Sequence, residues 1–165
     1  MTMEIVVVRA DITTIPVDAV VTAANSELVG GGGVDGAVHS AAGPRLVAAS
    51  RRLAPCPAGS AVVTPAYSMT TATWVIHAVG PVYRGPEDEP ALAAVYTAAL
   101  ARADEVGARS IAFPAISTGV YGYPPKDAAR ISVAALRAAE TDVETVLLVA
   151  LFEKTAALWE TAVRQ

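Results

Sequence analysis

Short valine-rich runs alternate with alanine-rich stretches of helical spacing along the whole chain, and few folds accommodate that alternation. Glu4 to Arg9, Ala19 to Thr22, Ser60 to Pro65, Thr73 to Val79, Ser110 to Phe113 and Thr145 to Phe152 read as strands. They are rich in β-branched residues, and the last is apolar throughout, as strands covered on both faces tend to be. Between them, Val34 to Ala42, Arg45 to Arg52, Pro90 to Val106, Pro125 to Ala139 and Thr155 to Val163 read as helices. Within Pro90 to Val106, the residues Leu92, Val95, Tyr96, Ala99, Leu100 and Ala103 recur at helical spacing, and Gly107 follows as a C-terminal cap. Pro125 falls in a first turn, where its missing N–H costs least. The alternation predicts an α/β domain whose largely parallel central sheet is covered on both faces.

A chain of 165 residues suits one domain, so residues 1–165 are expected to form a single unit. At that length a domain buries roughly 70% of the surface its unfolded form exposes. Hydrophobic residues make up 53% and charged residues 17%, with a mean hydropathy of +0.45. That apolar balance raises the question of a membrane. The apolar residues never run for the ~20 positions of a spanning helix. No basic stretch precedes an apolar one at the N-terminus. The expectation is a cytoplasmic globular domain without membrane partners. The net charge of −4 and pI near 5.1 offer no basic patch for nucleic acid. An anionic ligand would need local attraction from backbone N–H groups or helix N-termini. Cys56 is the lone cysteine and reads as structural, since one thiol forms neither an internal disulfide nor a cysteine zinc cluster. His39 and His77 have no carboxylate spacing that would make a metal site. His77 lies inside an apolar strand and reads as a core residue, while His39, four residues after Asp35, reads as a packed helix residue within reach of it.

Two loops stand between strand and helix, where ligands of open α/β sheets bind. The first, Ala24 to Gly36, contains four successive glycines, Gly30 to Gly33. Ordering such a run is entropically costly, which points to backbone that must approach a ligand closely. The N–H groups of Gly32, Gly33 and Val34 would open the next helix and face an anion. The second loop, Pro114 to Pro124, offers Ser117, Thr118 and the backbone of Gly119, Val120 and Tyr121 for a second phosphate face, with Tyr121 and Tyr123 as apolar bodies with polar tips. The nucleoside-triphosphate motif G-x-x-x-x-G-K-[ST] is missing. A dinucleotide-dependent oxidoreductase would want an acidic residue after the next strand, where Thr64-Pro65-Ala66-Tyr67 stands instead.

Thr22-Ala23-Ala24-Asn25-Ser26, the glycine run and Val34-Asp35-Gly36-Ala37-Val38-His39-Ser40-Ala41-Ala42-Gly43 strongly resemble macrodomains of the ADP-ribosyl-ester hydrolase branch, which includes O-acetyl-ADP-ribose deacetylases. Ala10-Asp11-Ile12-Thr13, Val75 to Pro81 and Ile116 to Pro124 are similar to further motifs of that family, in the same order. The resemblance implies a three-layer α/β/α macrodomain with a mixed, largely parallel sheet. It implies a hydrolase that binds ADP-ribose and cleaves its esters, either mono-ADP-ribosylated Asp or Glu on proteins or O-acetyl-ADP-ribose, with no metal and no organic cofactor. Asn25 and Asp35 would serve at the distal ribose. Asp11 and the Ile12 backbone would meet the adenine amino group, Phe152 would pack on the ring, and the two loops would wrap the diphosphate. Read alone, Asp11 and Asn25 fit turns, Asp35 fits a helix N-terminal charge, and Phe152 fits core packing. A non-catalytic ADP-ribose reader is the alternative function. Two positions depart from the family: Ala10 replaces a glycine, and Thr22 replaces the first asparagine of Asn-Ala-Ala-Asn, a change expected to alter how the first loop is anchored.

Overall fold

The computed structural model describes residues 3–165. Six strands form: β1 (Glu4–Arg9), β2 (Ala19–Ala23), β3 (Ser60–Pro65), β4 (Trp74–Val79), β5 (Ser110–Phe113) and β6 (Thr145–Ala150). Five helices accompany them: α1 (Gly33–Ala42), α2 (Pro44–Arg51), α3 (Glu89–Glu105), α4 (Pro125–Ala138) and α5 (Glu153–Arg164). The strands lie in one sheet in the order β1-β6-β5-β2-β4-β3. Every neighbouring pair is parallel except β3 with β4, so the antiparallel strand closes one edge.

The period-2 alternation of strands sorts their side chains into two cores. Ala19 and Val21 of β2, Ile76 of β4, Ile111 and Phe113 of β5 and Leu148 of β6 pack with α3, α4 and α5. Val20, Val75, Ala112 and Val149, from the same four strands, pack on the opposite side with Val38, Ala42 and Leu46 of α1 and α2. The result is a mixed, mostly parallel sheet between two helical layers, as expected. In α3 the apolar stripe faces inward as its spacing predicts: Leu92, Val95, Tyr96, Ala99, Leu100 and Ala103 are all buried. Gly107 closes the helix at φ +73°, in the left-handed region that glycine adopts freely.

The differences from the sequence reading sit at element ends. β6 stops at Ala150, so Leu151 and Phe152 leave the sheet. A 3₁₀ turn over Ile12–Thr14 follows β1; Asp11 caps it by accepting from the Thr13 N–H, local chemistry that strand and helix periods do not register. Among the described residues no helix is long and apolar enough to cross a membrane.

Candidate functional site

Parallel strands deliver their carboxyl ends to one edge of the sheet, and the loops that follow β1, β2, β5 and β6 meet there. Between them lies a cleft of about 740 Å³. Every residue singled out from the sequence as a site residue lines it: Asp11, Ile12, Asn25, Gly32, Gly33, Val34, Asp35, Ser117, Thr118, Gly119, Val120, Tyr121 and Phe152.

The first loop holds little but backbone. Gly32 occupies the N-cap position of α1 with no side-chain cap, so the first-turn N–H groups have no partner from that position. Asn25 fixes the loop's mouth: its Nδ2 donates to the Gly30 carbonyl at 3.0 Å and its Oδ1 accepts from the Val29 N–H at 3.4 Å. One amide hydrogen and one lone pair remain for a ligand. Gly36 permits the loop to fold back, because a Cβ there would lie 2.7 Å from the Gly31 carbonyl oxygen.

Asp35, in the first turn of α1, is buried. Its Oδ1 accepts from the Thr22 hydroxyl at 2.7 Å and lies 3.5 Å from His39 Nε2. Burial pushes the carboxyl up from its ordinary range, against the Thr22 hydrogen bond and the His39 charge. Behind this group, His77 is fully buried with Nε2 2.9 Å from the Thr64 hydroxyl. Burial, with His39 nearby, lowers His77 to about 3, so it is a neutral core residue.

The second loop is built differently. Ser117 sits at φ +69° and is buried; its hydroxyl donates to the Pro81 carbonyl at 2.8 Å. The Thr118 hydroxyl donates to Ala115 at 2.9 Å. Ser117 and Thr118 line the cleft as expected, but both hydroxyl hydrogens are used within the protein, so what they turn toward an anion is chiefly backbone. Among the described residues the N–H groups of Thr118, Gly119 and Val120 meet no backbone acceptor. Tyr121 lines the cleft, whereas Tyr123 turns into the core and meets the edge of Tyr83 at 4.7 Å between centroids.

At the far end, Asp11 is exposed and its Oδ1 accepts from both the Thr13 N–H (2.9 Å) and hydroxyl (2.7 Å). Those bonds hold its carboxyl below the usual carboxylate range and leave Oδ2 free. Ile12 is buried in the core beneath. Phe152 is 67% exposed on the cleft wall, so core packing does not explain it.

Three residues that hold this site together escaped the sequence reading. Thr22, read only as a departure, donates to Asp35. Tyr96, read only as part of a helix stripe, is buried with its hydroxyl accepting from the Ile116 N–H at 3.2 Å. Gly80, read only as part of the Val75 to Pro81 motif, packs against the second loop: a Cβ there would lie 2.2 Å from Ser117 Oγ. Steric need at Gly80 and Gly36 has no signal in one sequence beyond the glycine itself. Among the described residues no cluster of His, Cys, Asp and Glu suits a metal ion.

Comparison with known proteins places this arrangement. The family model described as Macro domain matches residues 21–132. A macro domain-containing protein of Ralstonia nicotianae is 50% identical over 159 residues, 95% of this chain and 92% of that protein. A Klebsiella pneumoniae protein named O-acetyl-ADP-ribose deacetylase is 49% identical over 162 residues, 93% of this chain and 92% of its own. Among solved structures, a mutant Oceanobacillus iheyensis macrodomain with ADPR superposes with a TM-score of 0.90 at 36% identity, covering 96% of this chain and 90% of that one.

Proposed function

The chain belongs to the Macro domain family, and on that premise we propose that its cleft takes up ADP-ribose and hydrolyses an ester at the distal ribose. The observation that carries this reading is the placement of Asp35. Its carboxyl stands at the N-terminus of α1 beside Asn25, on the same cleft that both backbone loops line. A diphosphate held between those loops would meet N–H groups from each, which answers how a protein of net charge −4 attracts an anion. Asp11 and Phe152 offer a carboxylate and an apolar face to the adenine end. The cleft volume is within the ordinary range for a ligand of this size.

Hydrolysis adds water across the ester, returning a ribose hydroxyl and a carboxylic acid, and needs no cofactor. Asp35, with its proton affinity raised by burial, is suited to take a proton from that water. The names of relatives such as the Klebsiella deacetylase support an ester substrate. O-acetyl-ADP-ribose and ADP-ribosylated Asp or Glu on proteins share that linkage.

One observation favours a second reading, a non-catalytic ADP-ribose reader: Asp35 is only 4% exposed, which restricts its access to water. The two separate cleanly. The protein is incubated with O-acetyl-ADP-ribose and with a glutamate-linked mono-ADP-ribosylated protein, alongside Asp35→Asn. Turnover is expected from the parent, with a loss of roughly 10²–10⁴-fold in the variant. Absence of turnover on both substrates, with ADP-ribose still binding by calorimetry, would make the reader the correct description.

A further inference from the structure

Thr22 is the penultimate residue of β2, fully buried, on the sheet face that α1 covers. A β-branched side chain in a packed strand is stiff about χ1, so its hydroxyl is a fixed donor. That donor points at one oxygen of Asp35, Oδ1, at a distance typical of a hydroxyl–carboxylate bond. His39 Nε2 lies on the same oxygen at 3.5 Å. The other oxygen, Oδ2, faces the first loop: a Cβ built on Gly31 would lie 3.5 Å from it and 3.8 Å from Asn25 Nδ2. The carboxylate is thus held by one oxygen from behind and presents the other toward the cleft.

We propose that Thr22 is a positioning residue for the reaction, one that locks the Asp35 carboxyl with Oδ2 turned to the substrate. This rests on the hydrolase reading given above. The departure at position 22, expected to alter how the first loop is anchored, bears on Asp35: the loop's mouth is held by Asn25, while Thr22 donates to the carboxyl behind it. Among the described residues, His39 is the ionisable group that meets the carboxyl, and His77 on β4 lies behind His39 at 6.0 Å between ring centroids.

The experiment compares Thr22→Val, Thr22→Ser and Asp35→Asn in steady-state ester hydrolysis across pH, with ADP-ribose affinity by calorimetry. Valine keeps the shape and removes the donor. Its kcat is expected to fall roughly tenfold or more, with KM and ADP-ribose affinity within about twofold of the parent. The ascending limb of the pH profile moves to higher pH, because the lost hydroxyl no longer favours the charged carboxylate. Serine, which restores the donor, returns most of the rate. Thr22→Ala, expected to behave as valine does, replaces it if circular dichroism shows that valine unfolds the protein. Parent-like kcat and pH profile in the donor-free variant, with Asp35→Asn inactive, would overturn the role of Thr22 and leave the hydrolase reading standing. Parent-like activity in Asp35→Asn would overturn the role of Asp35, and that of Thr22 with it, whereas absence of turnover in the parent would overturn the hydrolase reading itself.

Discussion

The two loops that face each other across the cleft reach their shapes by opposite means. The first is nearly side-chain-free from Gly30 to Gly33, and its form is imposed from the ends, by Asn25 at its mouth and by the close approach of Gly36 to the Gly31 carbonyl. The second carries its own side chains and commits them to protein carbonyls, Ser117 to Pro81 beyond β4 and Thr118 to Ala115 within the loop, while the Tyr96 hydroxyl on α3 accepts from the Ile116 N–H. The side chains proposed to act at the distal ribose, Asn25 and Asp35, both flank the glycine run of the first loop. The difference teaches that a bare glycine run leaves room beside it for the side chains at its ends, whereas a loop whose hydroxyls are bonded to protein carbonyls turns mainly backbone to the cleft.

The comparison breaks most visibly at the glycines that let each loop close. Alanine at Gly80 would place a Cβ 2.2 Å from Ser117 Oγ and 2.5 Å from Ile116 Cγ2, both buried. Overpacking of this kind costs about 1–3 kcal/mol, and relief requires the second loop to move. Alanine at Gly36 meets backbone, the Gly31 oxygen, so the first loop must move, although a helix interior ordinarily favours alanine over glycine by roughly 0.5–1 kcal/mol. Thermal melts and ADP-ribose titration of both variants are expected to show lower Tm and weakened binding. Binding preserved in Gly80→Ala would mean that the second loop's shape is not what holds the ligand.

These packing demands mark where sequence reading ends. The strands and helices were legible because their signals are local: short Val-rich runs, and an α3 stripe at helical spacing that is buried as its spacing predicts. The residues of the cleft were legible because the glycine run and the flanking Asn25 and Asp35 sit together in the chain, and because the family motifs keep their order. What was not legible depends on partners far apart in sequence or on orientation. Thr22 meets Asp35 thirteen residues away, and Ser117 meets Pro81 thirty-six residues away. A loop's composition lists its hydroxyls without saying which way they turn. Phe152 looked like the end of a core strand because it is apolar and continuous with β6, yet the strand stops two residues earlier and releases it to the cleft.

A smaller effect sharpens the contrast between chemistry and shape. The raised proton affinity of Asp35 means that folding opposes its ionisation. Above the ordinary carboxylate pKa of 3.8 the unfolded chain releases that proton more readily than the folded one, so stability falls as pH rises from there through the folded value. Asp35→Asn removes the charge while its amide oxygen can still accept from Thr22. At neutral pH it is expected to melt higher, by about 2–4 °C if the gain is on the order of 1 kcal/mol. Stability and activity would then move in opposite directions at one residue, as at sites held for function. A lower Tm in the variant would instead show that the ionised Asp35 holds the loop in place.

The smallest expected effect tests whether the first loop's bareness is functional. Gly32 occupies the N-cap of α1 at φ −96° and ψ −171°, an extended conformation that serine adopts readily, and a Cβ there would meet nothing within 4 Å. Serine at an N-cap accepts from the N–H of the second or third helical residue and stabilises a helix over a glycine N-cap by roughly a few tenths of a kcal/mol. Gly32→Ser is therefore expected to raise Tm by a degree or two. The same hydroxyl would occupy an N–H group that a diphosphate is proposed to use, so ADP-ribose affinity should drop severalfold. A higher Tm with unchanged affinity would show that the α1 N-terminus is not the anion site, and the burden of holding the diphosphate would pass to the backbone of the second loop.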